Sequence, residues 1–282
     1  MFPRRKAADV KFLRNYLGVI LILVWGLAPF YWMVVTAFRH KSHTFDTTPW
    51  PTHVTLDNFK EALATDKGND FLGAIGNSLI VGLITTVLAV MVGVFTAYAL
   101  ARLEFRGKGF VTGIVLAASM FPGIALVTPL FQMFGDMGWI GTYRALIIPN
   151  ISFALPLTIY TLVSFFRQLP WELEEAARVD GASRGQAFRL VLLPLAAPAL
   201  FTTAILAFIA TWNEFMIAQQ LSTNATEPVT VAIARFSGPN SFEYPYASIM
   251  AAGALVTIPL VIMVLLFQRR IVAGLTAGGV KS

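Results

Sequence analysis

The chain has 282 residues, of which 56% are hydrophobic and only 13% are charged. Soluble domains carry about 25% charged residues, so this composition excludes an ordinary soluble domain and indicates a membrane protein. The chain contains no Cys, which excludes disulfides and thiolate metal sites. Its net charge is +6. In a membrane protein this charge is first counted on each side of the membrane and is not taken as a sign of nucleic-acid binding.

Six uncharged apolar stretches follow one another along the chain. A helix of about twenty residues crosses the hydrocarbon core of a bilayer, and only helices or closed barrels satisfy backbone groups in lipid. These stretches are continuously apolar rather than alternating, which excludes a barrel. We therefore predict an all-α membrane protein with a single transmembrane domain over residues 1–282. The predicted spans are residues 16–38, 77–101, 110–131, 145–166, 190–212 and 244–267.

The basic residues are distributed unevenly around the predicted spans. Fifteen of the 21 Lys and Arg residues lie before the first span, in the second and fourth connections or after the sixth span, against six elsewhere. Because cytoplasmic segments carry the excess of Lys and Arg, we predict that both termini are cytoplasmic. The basic N-terminus resembles a signal peptide, but no small-residue cleavage site follows, so we expect the first span to be retained.

The predicted outer connections differ in content. The longest, residues 39–76, has a short amphipathic helix that begins near Asp57, which we expect to cap it. It also holds three histidines, His40, His43 and His53. No patterned carboxylates accompany them, so no metal site is predicted. The last outer connection, residues 213–243, is polar and is predicted to be a loop.

Prolines recur inside the spans, with two in each of the third, fourth and fifth. Each proline removes a backbone hydrogen bond and tends to kink its helix. For most of them we expect ordinary helix bending. The paired prolines also suit a bundle that lines a cavity.

The sequence contains no catalytic constellation. It has no phosphate-binding loop, no G-x-S-x-G motif, and no charged residue within a predicted span. Ion-coupled transporters normally keep an intramembrane charge, so a neutral polar solute driven from outside the chain is favoured. Candidate pathway residues are Asn150, Tyr160, Thr203, Asn213 and Glu214. Taken singly, each of them is better explained as a helix-packing or interfacial group than as a solute contact.

A charged segment, residues 170–189, interrupts the apolar spans. Its first helix has acidic residues in the first turn, where the helix dipole favours them, and Glu174 and Arg178 are spaced to pair. Gly181 is suited to end that helix, and Ser183 with Gln186 predicts a capping box that starts the next. We predict a short helix, a tight turn and a second helix that continues into the fifth span. Such an element would act as a lever on that span.

This segment resembles the membrane subunits of ATP-binding-cassette (ABC) importers. Their motif is E-A-A, three residues, G, nine residues, I-x-L-P. The chain has the matching residues Glu175, Ala176, Ala177, Gly181 and Val191-Leu192-Leu193-Pro194, with Val191 in place of Ile as the only departure. The stretch 212–215 is similar to a segment of carbohydrate importers, and the tail 274–282 resembles the smaller maltose-type permease chain.

The resemblance implies the type I importer permease fold and a set of contact residues. The segment 170–189 would be the coupling segment that docks on an ATPase subunit, with Glu175 as the ionic contact and Gly181 as the turn. Ala176, Ala177 and Asp180 would belong to the same contact. The cytoplasmic tail, residues 268–282, would reach into the ATPase dimer, with contacts from Thr276, Gly278 and Gly279.

The resemblance also implies partners and a location. The partners would be a second homologous permease chain, two ABC ATPase subunits and an extracytoplasmic sugar-binding protein in the bacterial inner membrane. The chain itself would be no enzyme and would hold no cofactor, since ATP and Mg²⁺ would bind the ATPase. The expected solute is a sugar, such as the disaccharides trehalose or maltose. Alternatives are glycerol phosphate, an amino-sugar or a polyol, an ATP-independent channel or facilitator, or an assembly or sensor subunit.

Overall fold

The computed structural model describes residues 4–65, 69–236 and 244–277. These residues form helices joined by turns, with one isolated β-bridge between Arg39 and Val54. The predicted all-α class is therefore confirmed. The α-helices are α1 (Arg4–Ala37), α2 (Asp57–Leu63), α3 (Phe71–Arg102), α4 (Lys108–Met120), α5 (Val127–Asp136), α6 (Tyr143–Gln168), α7 (Glu172–Val179), α8 (Arg184–Ala187), α9 (Leu193–Leu195), α10 (Ala197–Trp212), α11 (Met216–Leu221), α12 (Val229–Ala234) and α13 (Tyr246–Ala277).

Four of the predicted spans are single long helices within the part of the chain that the structure describes. They are long and apolar enough to cross a bilayer and correspond to α1, α3, α6 and α13. The other two predicted spans are bent helix pairs, so the count of six holds when each pair is one span. The prolines inside α6, Pro149 and Pro156, leave it a single helix, as expected for ordinary bending.

The third span is bent more sharply than the ordinary helix bending expected from its prolines. Lys108–Met120 and Gly123–Asp136 are bent by 93° relative to each other. Phe121, the residue before Pro122, has an extended backbone with φ −75° and ψ 128°. A residue that precedes proline is disfavoured in the helical region, because the proline ring clashes with its backbone. This local constraint ends α4 and starts a 3₁₀ turn at Gly123.

The fifth span is also broken, so the second helix of the charged segment does not continue straight into it. A π-helical stretch, Phe188–Leu192, follows α8. The run Arg184–Leu195 is then bent by 70° relative to α10. Pro198 has no N–H to donate to the carbonyl of residue 194, which weakens the ladder across the bend. The predicted lever is therefore bent at Ala196.

The chain divides into two compact units. Met1–Phe71 with Arg235–Ile258 form one, and Leu72–Ala234 with Pro259–Ser282 form the other. In the first unit, Glu61 of α2 pairs with Lys41 at 2.9 Å and accepts a hydrogen bond from Ser248 at 2.8 Å. These contacts fix α2 to both neighbouring segments of that unit.

The connection after α1 is organised by a buried arginine. Arg39 is 1% exposed, donates to the backbone carbonyls of Asp46 and Thr48, and lies over the ring of Trp32. Asn58 of α2 donates to the carbonyl of Arg39 at 2.7 Å. In the sequence, Arg39 is one of the six Lys and Arg residues outside the predicted cytoplasmic segments. Its main role in the structure is to hold the connection in a compact fold.

We expect Arg39→Met to loosen this connection. The substitution leaves the carbonyls of Asp46 and Thr48, in partly buried residues, without this donor, and a typical hydrogen bond contributes about 0.5–1.5 kcal/mol to stability. The loss is measured as faster limited proteolysis within residues 40–56 and a lower Tm in detergent. Lys60→Met, at an exposed side chain of the same unit, is the matched control and should leave both measurements unchanged.

Helix α2 begins one residue earlier than a helix capped by Asp57 would. Asp57 is its first helical residue, and Leu56 at the cap position makes no side-chain bond to the helix. The hydroxyl of Thr55 accepts a hydrogen bond from the Asp57 amide at 3.1 Å. Hydrogen bonds from Lys60 and Thr55 hold the pKa of Asp57 below its ordinary value. The predicted helix is confirmed, but the cap assignment is wrong.

In the second unit, α3, α6 and α10 pack closely because small residues lie at their contacts. A Cβ added to Gly93 would lie 2.4 Å from a methyl group of Thr158 on α6, and one added to Gly82 would lie 2.8 Å from Phe208 on α10. Only a residue without a side chain permits such an approach. These contacts place the carboxyl end of α3 beside the segment that carries the importer motif.

The polar connection after α10 is more ordered than predicted. It contains α11 and α12, and the side chains of Ile217, Leu221 and Val231 are buried in one core cluster with Phe134 and Leu146. The prediction of a loop is wrong for residues 216–221 and 229–234. The apolar residues of α11 recur at helical spacing, but six residues are too few for that period to stand out.

Candidate coupling segment

The turn between α7 and α8 is built as the sequence predicts. Gly181 has φ +90°, the left-handed region that favours glycine. The amide of Ala182 donates to the carbonyl of Ala177 at 2.9 Å, and that of Gly181 donates to Arg178 at 3.1 Å. These two bonds form a Schellman motif, in which glycine occupies the position just beyond the helix cap. The turn therefore depends on Gly181 for its backbone conformation.

The second helix of the segment starts with the predicted capping box. The amide of Ser183 donates to Oε1 of Gln186 at 2.8 Å, and the amide of Gln186 donates to the hydroxyl of Ser183 at 3.3 Å. Each side chain thus satisfies one free amide at the start of α8. Because the box follows two residues after Gly181, the direction of the chain is fixed on both sides of the turn.

Most of the importer-motif residues lie on the open face of this helix–turn–helix. Glu175, Ala176, Asp180 and Gly181 are exposed, and Ala177 is partly buried. Val179 at the end of α7 is 86% exposed. This face, defined here as the docking face, is open in the isolated chain.

The opposite face of α7 contacts α3. Glu174 is 7% exposed, and its Oε1 accepts a hydrogen bond from the hydroxyl of Tyr98 at 3.0 Å. The sequence favoured a pair between Glu174 and Arg178 instead. The structure differs because the helix turns Glu174 towards the protein, whereas Arg178 is exposed. The two adjacent glutamates, Glu174 and Glu175, therefore lie on different faces.

Arg102 anchors the chain just before α7. It is 5% exposed, its Nη2 donates to the carbonyl of Leu169 at 2.5 Å, and its guanidinium lies 4.4 Å from the ring centroid of Trp171. An arginine over the face of tryptophan is attracted by the ring quadrupole. Arg102 thus fixes the link between α6 and α7.

An aromatic cluster lies behind these polar contacts. The ring centroid of Tyr98 lies 4.5 Å from the ring centroid of Phe188 and 6.2 Å from that of Phe166. Phe188 begins the π-helical stretch that leads to the bend before α10. The cluster therefore joins α3, α6 and the fifth span beside the coupling segment.

Two of the predicted pathway residues line one small cavity. Asn150 and Glu214 border a space of about 10 Å³ together with Ser78 and Thr211, which is room for about one water and not for a sugar. The Glu214 carboxylate accepts bonds from the amides of Ile217 at 2.8 Å and Ala218 at 3.0 Å. Burial raises the pKa of Glu214, and these amides oppose that change. In the structure, Glu214 therefore caps the start of α11.

The other pathway candidates lie apart from this cavity. Thr203 is fully buried and donates to the carbonyl of Ala199 in its own helix. Asn213 is exposed and donates to Ile209. Tyr160 is 72% exposed and borders a mainly apolar groove of about 380 Å³ between α4 and α6. The structure does not bring the five candidates into one site, and their role in solute passage stays a prediction.

The predicted tail contacts fall at the edge of the described chain. Gly278 and Gly279 lie outside the described residues. Thr276 lies in the last turn of α13, and the position of its side chain is not described. The roles of these three residues stay predictions.

Sequence reasoning missed Tyr98 and Arg102 as partners of the coupling segment. They are four residues apart on α3, so they lie on one helix face. A polar pair at that spacing at the end of an apolar span was the available signal. That signal is weak, because a tyrosine and a flanking positive charge are common at span ends whatever they contact.

Comparison with known proteins agrees with this architecture. Residues 89–276 match the family model described as the binding-protein-dependent transport system inner membrane component. The trehalose transport system permease protein of Mycobacterium tuberculosis is 49% identical over 262 residues, which cover 93% of this chain and 94% of the relative. The trehalose/maltose transport system permease protein of Thermococcus litoralis is 44% identical over 267 residues, covering 94% and 95%.

A solved structure shows the same fold at lower identity. A chain of a bacterial ABC transporter involved in the import of the acidic polysaccharide alginate superposes with a TM-score of 0.75. The identity is 21%, and the match covers 95% of this chain and 98% of that one. The helix–turn–helix with its importer motif, the membrane spans and the family match lead to one conclusion. The chain belongs to the family of binding-protein-dependent transport system inner membrane components.

Proposed function

We propose that the chain is the membrane-spanning permease subunit of an ATP-driven sugar importer and forms half of its translocation pathway. The observation that carries this proposal is the docking face of the coupling segment. Glu175 and Asp180 are exposed there beside an apolar Val179. A channel that works alone needs no such face, whereas a subunit that receives force from an ATPase does.

The proposed solute is a disaccharide such as trehalose or maltose. Support comes from the two relatives that are 49% and 44% identical over nearly the whole chain, whose names specify trehalose and trehalose/maltose transport. The absence of charged residues within the predicted spans supports a neutral solute.

The proposed assembly contains a second homologous permease chain, two ABC ATPase subunits and an extracytoplasmic sugar-binding protein. ATP and Mg²⁺ bind the ATPase, so this chain is not the enzyme. Glu175, Ala176, Ala177, Asp180 and Gly181 contact the ATPase, and Thr276, Gly278 and Gly279 of the tail contact the ATPase dimer. The chain lies in the bacterial inner membrane with both termini in the cytoplasm, as the Lys and Arg distribution predicts.

Affinity purification from the native membrane followed by reconstitution tests this function. We expect an ATPase and a second permease chain to co-purify, and the assembly in proteoliposomes to take up labelled trehalose or maltose only with ATP and a sugar-binding protein. The chain alone is the control. Sugar movement by the chain alone, without ATP, would contradict the importer and indicate a facilitator. Uptake of glycerol phosphate or a polyol in place of the disaccharides would correct the solute.

A further inference from the structure

The contacts between α3 and the coupling segment form a distinct structural unit, defined here as the α3–α7 latch. It consists of Tyr98 bonded to Glu174, and of Arg102 bonded to Leu169 and stacked on Trp171. Tyr98 and Glu174 are 76 residues apart in the chain. The latch therefore joins two helices, α3 and α7, that are not neighbours in the sequence.

The hydroxyl of Tyr98 is the side-chain donor that Glu174 depends on. The Oε2 atom of Glu174 is buried and has no hydrogen-bond partner among the residues that the structure describes. A buried carboxyl group that loses its donor bears the full cost of its desolvation. Separation of α7 from α3 is therefore unfavourable unless another partner replaces Tyr98.

The second half of the latch acts on the same segment. Arg102 lies one helical turn after Tyr98 and holds Leu169 and Trp171, which immediately precede α7. Two points of α3 thus hold two points of the chain from Leu169 to Glu174. Two fixed points leave rotation only about the line between them, so the position of α7 at the end of α3 is restrained on both sides.

We propose that Tyr98 is a positioning residue whose bond to Glu174, supported by Arg102, makes the second span move together with the coupling helix. Force that enters at the docking face then reaches α3 directly, in addition to α10 through the Phe188 stretch. This inference rests on the proposed importer function. Glu175 is the contact for the ATPase, and Glu174, its neighbour, is the contact for the membrane domain.

Distance measurements between spin labels test the latch without reference to the solute. The chain contains no Cys, so Val179→Cys and Arg106→Cys accept paired labels on exposed sites of α7 and just beyond α3. We expect Tyr98→Phe to broaden the distance distribution in nanodiscs, although its ring still packs on Phe188. Tyr244→Phe, which removes an exposed hydroxyl of the other unit, is the control. An unchanged distribution in Tyr98→Phe would overturn the latch.

Variants of the acceptor separate the hydrogen bond from simple packing. Glu174→Gln keeps a carbonyl oxygen for Tyr98 and should retain the narrow distribution, whereas Glu174→Ala should broaden it. Tyr98→Phe combined with Glu174→Ala should match the single variants, because both remove one interaction. Full additivity of the two changes would overturn the proposed bond.

The functional effect is measured in the assembled importer. Tyr98→Phe should lower sugar uptake per ATP hydrolysed about fivefold, the lower end of ordinary coupling between sites, with the same amount of ATPase co-purified. Equal uptake per ATP would contradict the role in force transmission. If no ATPase co-purifies even with the unchanged chain, the proposed function fails, while the label distances still decide whether the latch exists.

Discussion

Replacing Glu175 by lysine is expected to lower ATP-dependent sugar uptake at least tenfold while the chain still inserts into the membrane. Glu175 lies on the exposed docking face, where the importer resemblance places its contact with a basic residue of the ATPase. Reversing one charge of a desolvated interfacial pair costs about 2–5 kcal/mol or more, so the coupled rate should fall at least tenfold. The measurement is sugar uptake and ATP hydrolysis by the reconstituted assembly.

Glu172→Lys is the matched control for this substitution. Glu172 is exposed in the first turn of the same helix, so the change in net charge is identical and the effect on the helix dipole is similar. It should leave uptake near the unchanged level. If the two variants transport sugar equally well, Glu175 has no special contact and the docking assignment is wrong.

The features that the sequence predicted well are those fixed by neighbouring residues. The left-handed Gly181 and the capping box of Ser183 and Gln186 depend on a few consecutive residues, and both were confirmed. The four spans that are single helices follow from hydrophobicity alone. Local chemistry decides these features, so no knowledge of the packing is needed to predict them.

The features that were missed depend on tertiary contacts. Glu174 pairs with Tyr98 and not with Arg178 because its face of α7 packs on α3. The spacing of residues along the helix does not show which face is packed. In the sequence, Arg39 is only a basic residue that follows a span. Its bonds to the carbonyls of Asp46 and Thr48 exist only in the folded connection. The prolines of the third and fifth spans predicted kinks, but bends of 93° and 70° depend on how neighbouring helices compensate for the lost hydrogen bonds.

The bends change how force can pass through the chain. A straight second helix would transmit a push on α7 along its axis into the fifth span. With a 70° bend before α10, the axis of that helix does not run on into α10. The contacts of α7 with α3 supply a second path that does not cross this bend. This is why the orientation of α7, and the turn that sets it, should be sensitive to substitution.

Replacing Gly181 by valine is expected to weaken assembly with the ATPase and to reduce uptake severalfold. At φ +90° a β-branched residue is strained by about 1–3 kcal/mol. No neighbouring atom lies within 4 Å of an added Cβ, so the cost is in the backbone and not in crowding. We expect the turn to lose its Schellman geometry and the docking face its orientation. The measurement is the amount of ATPase that co-purifies with the chain.

Two further variants make this result specific to the backbone of Gly181. Gly185→Val lies in α8, has no positive φ and has open space around the added Cβ, so it should co-purify with the ATPase as well as the unchanged chain does. Gly181→Asn should retain more ATPase than Gly181→Val, because asparagine tolerates the left-handed region better. Equal retention by all three variants would show that the left-handed turn is not required, and that another part of the segment orients the docking face.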